Sequence, residues 1–200
     1  EWQYQLYQTE GLPRRNKRIG HFAKNMALAS KVPWAYDLIF GNKLTANIAK
    51  AGVGFATKRS MPELARKPLK KWLQNDFKAN ISEKKVYFYC DEFTNYNDAE
   101  LGKIAVQLLD RLGYQVLFVD HPDCGRPQLS KGMLDEAKEL AEKNIITFDE
   151  LIDKETPLVG IEPSAILTFR DEFIGLTRDT LQAKAKRLAK FTFTIEEFLA

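Results

Sequence analysis

The chain has 200 residues, of which 44% are hydrophobic and 28% are charged. This composition is that of an ordinary globular protein with enough residues for one core, and it excludes wholesale disorder. The two cysteines, Cys90 and Cys124, are too few for a disulfide-stapled fold and fit a reducing compartment. No apolar run approaches the roughly 20 residues that span a bilayer, and no signal peptide is visible. We therefore expect a cytoplasmic protein.

The net charge of +3 hides an uneven distribution of charged residues. Residues 1–80 contain 15 Lys and Arg against 5 Asp and Glu, a net charge of +10, whereas residues 81–200 contain 15 against 22, a net charge of −7. This change of sign predicts two units, which we call the basic region (1–80) and the α/β region (81–200). Because the chain begins with Glu1 rather than Met, we also expect a piece of a longer polypeptide.

The basic region has the pattern of short amphipathic helices interrupted by proline and glycine. Its predicted segments are helices within residues 2–29, at 34–39 and at 44–51, an extended connector at 55–69 and one or two helical turns at 69–77. We thus expect a mostly helical connector without a sheet.

Three interpretations of its positive charge compete. Four cations between Arg14 and Arg18 could contact nucleic acid, but no aromatic stacking pattern or recognition helix accompanies them, so we expect no nucleic acid. Basic amphipathic helices that carry Trp and Phe also lie on anionic membranes, which allows a peripheral position at the inner face of the membrane. The simplest interpretation is a solvated face, or an arm that docks on an acidic neighbour.

The α/β region alternates strands with helices. Its predicted elements are strands at 85–90, 114–119 and 158–161, helices at 98–112, 134–144, 148–152 and 166–173, and a loop at 125–132. The helix at 98–112 carries an apolar stripe from Leu101 to Leu112 and stops at Gly113. This order predicts an α/β fold with a parallel, Rossmann-like sheet, flanking helices and right-handed crossovers.

The loops that follow the strands of such a sheet meet at one edge, where ligands bind. These loops are residues 90–97, 120–131 and 162–165. We therefore expect Cys90, Cys124 and the turn Glu162-Pro163-Ser164-Ala165 to lie near one another.

The edge lacks the features of a phosphate site. The first strand leads into Cys90-Asp91-Glu92-Phe93, which has no glycine and two acids, and no strand is followed by Gly-x-Gly-x-x-Gly. Gly52-Val53-Gly54 lies outside the α/β region, and Ser130-Lys131 has the wrong order for a P-loop. We do not expect a dinucleotide here.

A metal site is the sharper alternative. Cys90, His121 and Cys124 are suitable ligands, and the fourth could come from one of three acids: Asp120, Asp123 or Glu162. The competing interpretation makes Cys90 a small buried strand residue and Cys124 a loop thiol.

Two further roles for the cysteines are open. A disulfide or redox pair would need Cα atoms within about 7 Å of each other. Nucleophilic catalysis by Cys124 with His121 is the weakest hypothesis, because neighbours in one tight loop rarely align as nucleophile and base. We expect His21, in the basic region, to be a packing or surface residue.

Three loops together resemble one copy of the cysteine-rich CCG domain. The residues that carry the resemblance are Cys90-Asp-Glu-Phe-Thr-Asn-Tyr-Asn-Asp98, Asp123-Cys124-Gly125-Arg126-Pro127 and Glu162-Pro163-Ser164-Ala165. That domain occurs in heterodisulfide reductase, in the iron–sulfur component of glycolate oxidase and in anaerobic glycerol-3-phosphate dehydrogenase. Residues 19–24 and 54–60 resemble the segment after the ferredoxin-like cluster motif of FAD-linked oxidase fusion proteins.

The cysteine pattern of this chain departs from the family. The family has one Cys, then a Cys-Cys pair, then Cys-x-x-Cys. Here Cys90 is kept, the pair is Asp123-Cys124, and the last motif has Glu162 and Ala165 in place of both thiols. Two of five thiols remain, which implies a degenerate first copy without a cluster of its own.

The resemblance implies a fragment of an FAD- and iron–sulfur-dependent oxidoreductase of the D-lactate or glycolate dehydrogenase type. This copy would serve as a scaffold or electron-transfer module and would be inactive alone, with no tightly bound cofactor. Iron–sulfur clusters and FAD would belong to the full-length protein. Its partners would be the flavin domain, the ferredoxin-like domain and a second CCG copy. The alternative is a metal-binding or interaction module without a redox role.

Overall fold

The computed structural model describes residues 1–200, which form fourteen α-helices and four strands. In chain order these are α1 (Trp2–Glu10), α2 (Arg14–Gly20), α3 (Phe22–Ala29), α4 (Pro33–Phe40), α5 (Lys43–Val53), α6 (Leu69–Asn75), β1 (Lys85–Tyr89), α7 (Glu92–Tyr96), α8 (Ala99–Arg111), β2 (Gln115–Leu117), α9 (Arg126–Leu129), α10 (Leu134–Phe148), β3 (Leu158–Gly160), α11 (Pro163–Ile166), α12 (Glu172–Leu176), α13 (Asp179–Ala189), β4 (Thr192–Thr194) and α14 (Ile195–Leu199).

The four strands form one parallel sheet in the order β2-β1-β3-β4. In the register, Val86 of β1 pairs with Val116, and Phe88 pairs with Val159 of β3. The predicted α/β class and parallel sheet are confirmed. The edge strand β4 was not predicted, because three residues of Thr-Phe-Thr are too short to show an alternating pattern.

Helices cover both faces of the sheet, as parallel sheets require. Successive residues of β1 point to opposite faces, so Phe88 packs with α6 and α8 whereas Tyr89 packs with α10, α12 and α13. The molecule therefore has two apolar clusters, one on each face of the sheet.

Several boundaries in the α/β region differ from the prediction. The loop at 125–132 contains the short helix α9, whose first turn tolerates Pro127. Helix α10 runs on to Phe148, so a separate helix at 148–152 was a wrong prediction. The predicted helix at 166–173 is interrupted: α11 ends at Ile166, a 3-10 turn follows, and α12 starts at Glu172.

The apolar stripe of α8 divides between the core and the surface. Ala105 and Leu109 are buried, as predicted for a core-facing stripe. In contrast, four large side chains spaced by three or four residues are 42–61% exposed: Leu101, Ile104, Leu108 and Leu112. The structure thus leaves one apolar face of α8 open to solvent.

The basic region contains the predicted short helices, and residues 55–68 form neither helix nor strand, as expected. Its last helix, α6, buries Leu69 and Leu73 in the same cluster as Phe88. That helix therefore belongs structurally to the core of the α/β region. No helix of the protein has both the length and the apolar character needed to cross a membrane.

The basic region also docks on the α/β region through α1–α3. The rings of Phe22 and Phe93 stack with centroids 4.6 Å apart, and His21 Nε2 lies 3.0 Å from a carboxylate oxygen of Glu136. A side chain at Gly20 would collide with Met133, so this glycine permits the close approach. The basic region thus docks as an arm, but none of the four cations between Arg14 and Arg18 forms a salt bridge in this contact.

Candidate functional site

The carboxyl edge of the sheet is the candidate site. Strand β2 lies on one side of β1, and β3, the next strand along the chain, lies on the other side. Open α/β sheets bind ligands where the strand order reverses in this way, which here is the crevice after β1 and β3. Tyr89, the last residue of β1, pairs with Gly160, the last residue of β3, so the loops after these two strands begin side by side. Side-chain hydrogen bonds join the loop after β1 directly to the loop after β2.

Glu92 connects the first loop to the second. The backbone N–H of Cys124 donates to Glu92 Oε2 at 3.0 Å, and the Cys124 thiol donates to Oε1 at 3.1 Å. Both side chains are at least 98% buried. Burial raises the pKa of Glu92 to about 7, although the two hydrogen bonds from Cys124 oppose this rise.

The thiol of Cys124 is fixed from both sides. The N–H of Arg126 donates to its Sγ at 3.3 Å while the thiol donates to Glu92, and Gly125, with φ of 75°, makes the turn between them. Burial and then the charge of Glu92 raise the thiol pKa well above its usual range. Cys124 is therefore a protonated, hydrogen-bonded thiol at neutral pH.

The acids Asp91 and Glu162 serve as helix N-caps. Asp91 accepts hydrogen bonds from the N–H groups of Phe93 and Thr94 at 2.9 Å and 3.1 Å, at the start of α7. Glu162 accepts from the N–H and hydroxyl of Ser164 at 3.1 Å and 2.6 Å, at the start of α11. Such caps stabilise a helix by about 1 kcal/mol each. Burial raises the pKa of Asp91 to about 6.

His121 has both ring nitrogens engaged. Nδ1 donates to the carbonyl of Pro122 at 2.7 Å, so Nε2 is the acceptor for the N–H of Cys90 at 3.2 Å. Burial, followed by the charge of Lys70, lowers the pKa of His121 to about 3. The ring also stacks on Tyr89 with centroids 4.3 Å apart. His121 is thus a neutral side chain that links Cys90, directly after β1, to the loop after β2.

The two thiols lie on opposite faces of the sheet. Cys90 belongs to the cluster of Val86 and Phe88, whereas Cys124 belongs to the cluster of Tyr89. Both cysteines are free and buried. Burial also raises the pKa of Cys90 well above its usual range. The placement gives no support to the disulfide or to the nucleophile hypothesis.

The residues that could bind a metal are not grouped into a set of ligands. No three His, Cys, Asp or Glu side chains of the chain are grouped so that they could hold a metal ion. The ring nitrogens of His121 are used within the protein, so binding through Cys90, His121 and Cys124 stays a prediction. Iron–sulfur clusters are held by thiolates, and these two protonated thiols on separate faces do not fit one.

The basic region covers this edge. Helix α3 packs on α7, which follows Cys90, and α2 packs on α9, which follows Cys124. Cavities of about 780 Å3 and about 590 Å3 lie instead in the basic region. The loops after β1 and β2 are therefore covered by helices of the basic region, whereas Pro163 and Ser164, after β3, are exposed.

Two important residues of the edge were missed from the sequence. The sequence singles out Glu92 only as one of two acids in a segment that lacks the features of a phosphate site. Asn144 is fully buried on α10, where its amide donates to the carbonyls of Asp123 and Leu140 at 3.0 Å and 2.9 Å. A polar Asn among the inward positions of Ala141 and Ile145 was the available signal.

Comparison with known proteins gives relatives at low identity. No family model matches the chain, and no solved structure matches it. D-2-hydroxyglutarate dehydrogenase of Escherichia coli (strain K12) is 25% identical over 182 residues, which is 84% of this chain and 18% of the relative. One subunit of the anaerobic glycerol-3-phosphate dehydrogenase of the same strain is 26% identical over 119 residues, 58% of this chain and 30% of the relative. Lactate utilization protein A of Geobacillus kaustophilus (strain HTA426) is 34% identical over 101 residues, 50% of this chain and 41% of the relative.

The similarities support an oxidoreductase module. They agree with the resemblance to FAD- and iron–sulfur-containing oxidases that carry CCG domains. The chain spans 18% of the length of the D-2-hydroxyglutarate dehydrogenase that it matches.

Proposed function

We propose that this chain is the scaffold module of an FAD- and iron–sulfur-dependent 2-hydroxy-acid dehydrogenase, built on a cysteine-depleted CCG domain. The observation that carries the proposal is the burial of Glu92 and Cys124 at the carboxyl edge, where Glu92 holds the Cys124 thiol and α2 and α3 pack on the helices that follow both loops. A module of this kind supports the cluster-bearing parts mechanically and carries no electron itself.

The relatives support the substrate class. D-2-hydroxyglutarate and lactate both appear in the names of similar proteins, and both are 2-hydroxy acids. The clusters would reside elsewhere in the polypeptide, since this chain offers no grouped set of metal ligands, and we assign the flavin to a separate domain.

The exposed face of α8 supports a scaffold that contacts another domain. Leu101, Ile104 and Leu108 present a contiguous apolar stripe, and such stripes mark interaction surfaces. Because the matched dehydrogenase is several times longer than this chain, we assign the stripe to a further domain of the same polypeptide, such as the flavin domain, the ferredoxin-like domain or a second CCG copy.

The test is anaerobic reconstitution with iron and sulfide. Wild-type protein should retain no stoichiometric iron after desalting and should show no visible cluster absorption. A matched variant restores the family pattern through Asp123→Cys, Glu162→Cys and Ala165→Cys, and its fold is checked by circular dichroism. Iron uptake by the variant alone supports a degenerate copy.

Stoichiometric iron in the wild-type chain contradicts the proposal. So does turnover: the chain alone should not oxidise D-2-hydroxyglutarate, D-lactate or glycolate with an artificial electron acceptor. Failure of the restored variant to take up iron, with its fold intact, would remove the assignment to the CCG pattern.

A further inference from the structure

The basic region contains a cavity of about 780 Å3 between α4, α5 and residues 57–66. Five cations line it, against two acids, Asp37 and Glu63; the cations are Lys43, Lys50, Lys58, Arg59 and Arg66. None of the five forms a salt bridge. The cavity therefore has an excess of positive charge over its two acids, and none of its cations is paired with a carboxylate.

Lys50 is the buried member of this group of five cations. Its side chain is only 5% exposed although it carries a charge, and its Nζ donates to the carbonyls of Thr57 and Arg59 at 2.6 Å and 2.8 Å. Buried charges in proteins are normally paired with an opposite charge. An ammonium has three donors, and only two are used here, so one remains for an anion.

The segment that forms the outer wall is held in place by its carbonyl groups. Besides the two bonds from Lys50, the hydroxyl of Tyr36 donates to the carbonyl of Pro62 at 2.7 Å. The backbone N–H groups of Lys58, Ser60 and Met61 have no acceptor in the protein. All three residues line the cavity, so N–H groups without a protein partner belong to the wall that carries its cations.

A second cavity of about 590 Å3 adjoins the first. Both are lined by Tyr36, Phe40 and residues 59–62, but the second is mostly apolar, with Ile19, Phe22 and Met26 among its lining. The pair of cavities could hold a charged group in one part and an apolar or aromatic group in the other. Their volumes lie in the range of small-molecule sites.

We propose that these cavities form a binding site for an organic phosphate. Its phosphate groups contact Arg59, Lys58 and the free N–H groups of the wall, and Lys50 supplies the buried charge behind them. Its apolar or aromatic part lies against Tyr36 and Phe40. Arginine suits phosphate because its planar donors bind two oxygens at once. The site is separate from the sheet edge, so it does not depend on the scaffold role.

Isothermal titration calorimetry of the 200-residue chain tests this site with pyrophosphate, ADP and adenosine. ADP should bind more tightly than pyrophosphate, and adenosine should give no detectable heat. Arg59→Gln should weaken ADP binding by at least about tenfold, because the free energy of a hydrogen bond to a charged group corresponds to a change in affinity of roughly that size. Lys154→Gln removes one charge from an exposed loop outside the cavity and should leave the affinity unchanged.

Three results would overturn the proposal. One is the absence of binding by both pyrophosphate and ADP. Another is an equal loss of affinity in Arg59→Gln and Lys154→Gln, which would indicate attraction by net charge alone. The third is displacement of ADP by polyglutamate at equal charge concentration, because the cavity would then be a surface for an acidic protein.

Discussion

The two regions of the molecule use their ionisable side chains in opposite ways. The α/β region buries Asp91, Glu92 and both cysteines at the sheet edge and gives each acid hydrogen-bond donors. The basic region leaves the cations around its larger cavity without carboxylate partners. The ionisable side chains at the edge that the topology marks as a ligand site are thus buried, whereas the segment that looks like a connector carries a cationic cavity.

The largest expected effect concerns the core of the α/β region. Phe148→Ala removes a fully buried ring from α10 and should lower the free energy of unfolding by about 3–5 kcal/mol. Ile146→Ala, on the same helix, removes a side chain that is 62% exposed and should change it by less than about 1 kcal/mol. Urea unfolding measures both. Similar losses in the two variants would mean that the core does not lie where the structure places it.

The next effect depends on pH and on Glu92. Its pKa is about 7 in the folded protein against 4.5 for the ordinary group, so the folded state binds the proton more tightly. The free energy of unfolding therefore receives a contribution that is fully present below pH 4.5 and is lost as pH rises to about 7. Glu92→Gln has no proton to release and so avoids this loss of unfolding free energy. The loss is on the order of 3 kcal/mol, because one pKa unit corresponds to about 1.4 kcal/mol.

Unfolding at the two ends of this pH window checks the expectation. As the pH rises from acid to neutral, the difference in free energy of unfolding between Glu92→Gln and wild type should shift in favour of the variant. This shift is expected whatever the difference is at low pH. Glu150→Gln, an exposed acid in the turn after α10, is the matched control. A difference between Glu92→Gln and wild type that stays constant across the window would show that Glu92 is not buried as described.

The smallest expected effect concerns the contact between the regions. The stacked rings of Phe22 and Phe93 should give a coupling free energy of about 0.5–1.5 kcal/mol in a double-mutant cycle with Ala at each position. The cycle is measured by urea unfolding. Zero coupling would mean that α3 does not rest on α7, and the sheet edge would then lack its cover.

Sequence periodicity was sufficient for most of the fold. The strands β1 to β3, the helices α8 and α10 and the meeting of the loops at one edge follow from the alternation of elements. The limits of α10 and the short β4 did not, because tertiary packing decides them. Leu101 and Leu109 show the same effect on α8: both fit the apolar stripe, but only one of them is buried.

The chemistry of the two sites was harder to foresee. The sequence pointed to Cys124 but not to Glu92 as its partner, since only the folded chain brings the two loops together. Lys50 had a usable signal: it lies four residues after the buried Ala46, on the inward side of α5. A lysine at an inward helical position indicates a buried charge that needs a partner.

The reactivity of the cysteines in the native chain tests the closed edge most directly. Cys90 and Cys124 should react with a thiol reagent only as fast as the protein unfolds, because both are buried and protonated. A thiol introduced in the open basic region by Ser60→Cys should react at once in the same protein. Rapid, stoichiometric labelling of Cys124 in the folded chain would contradict a closed edge and the scaffold role derived from it.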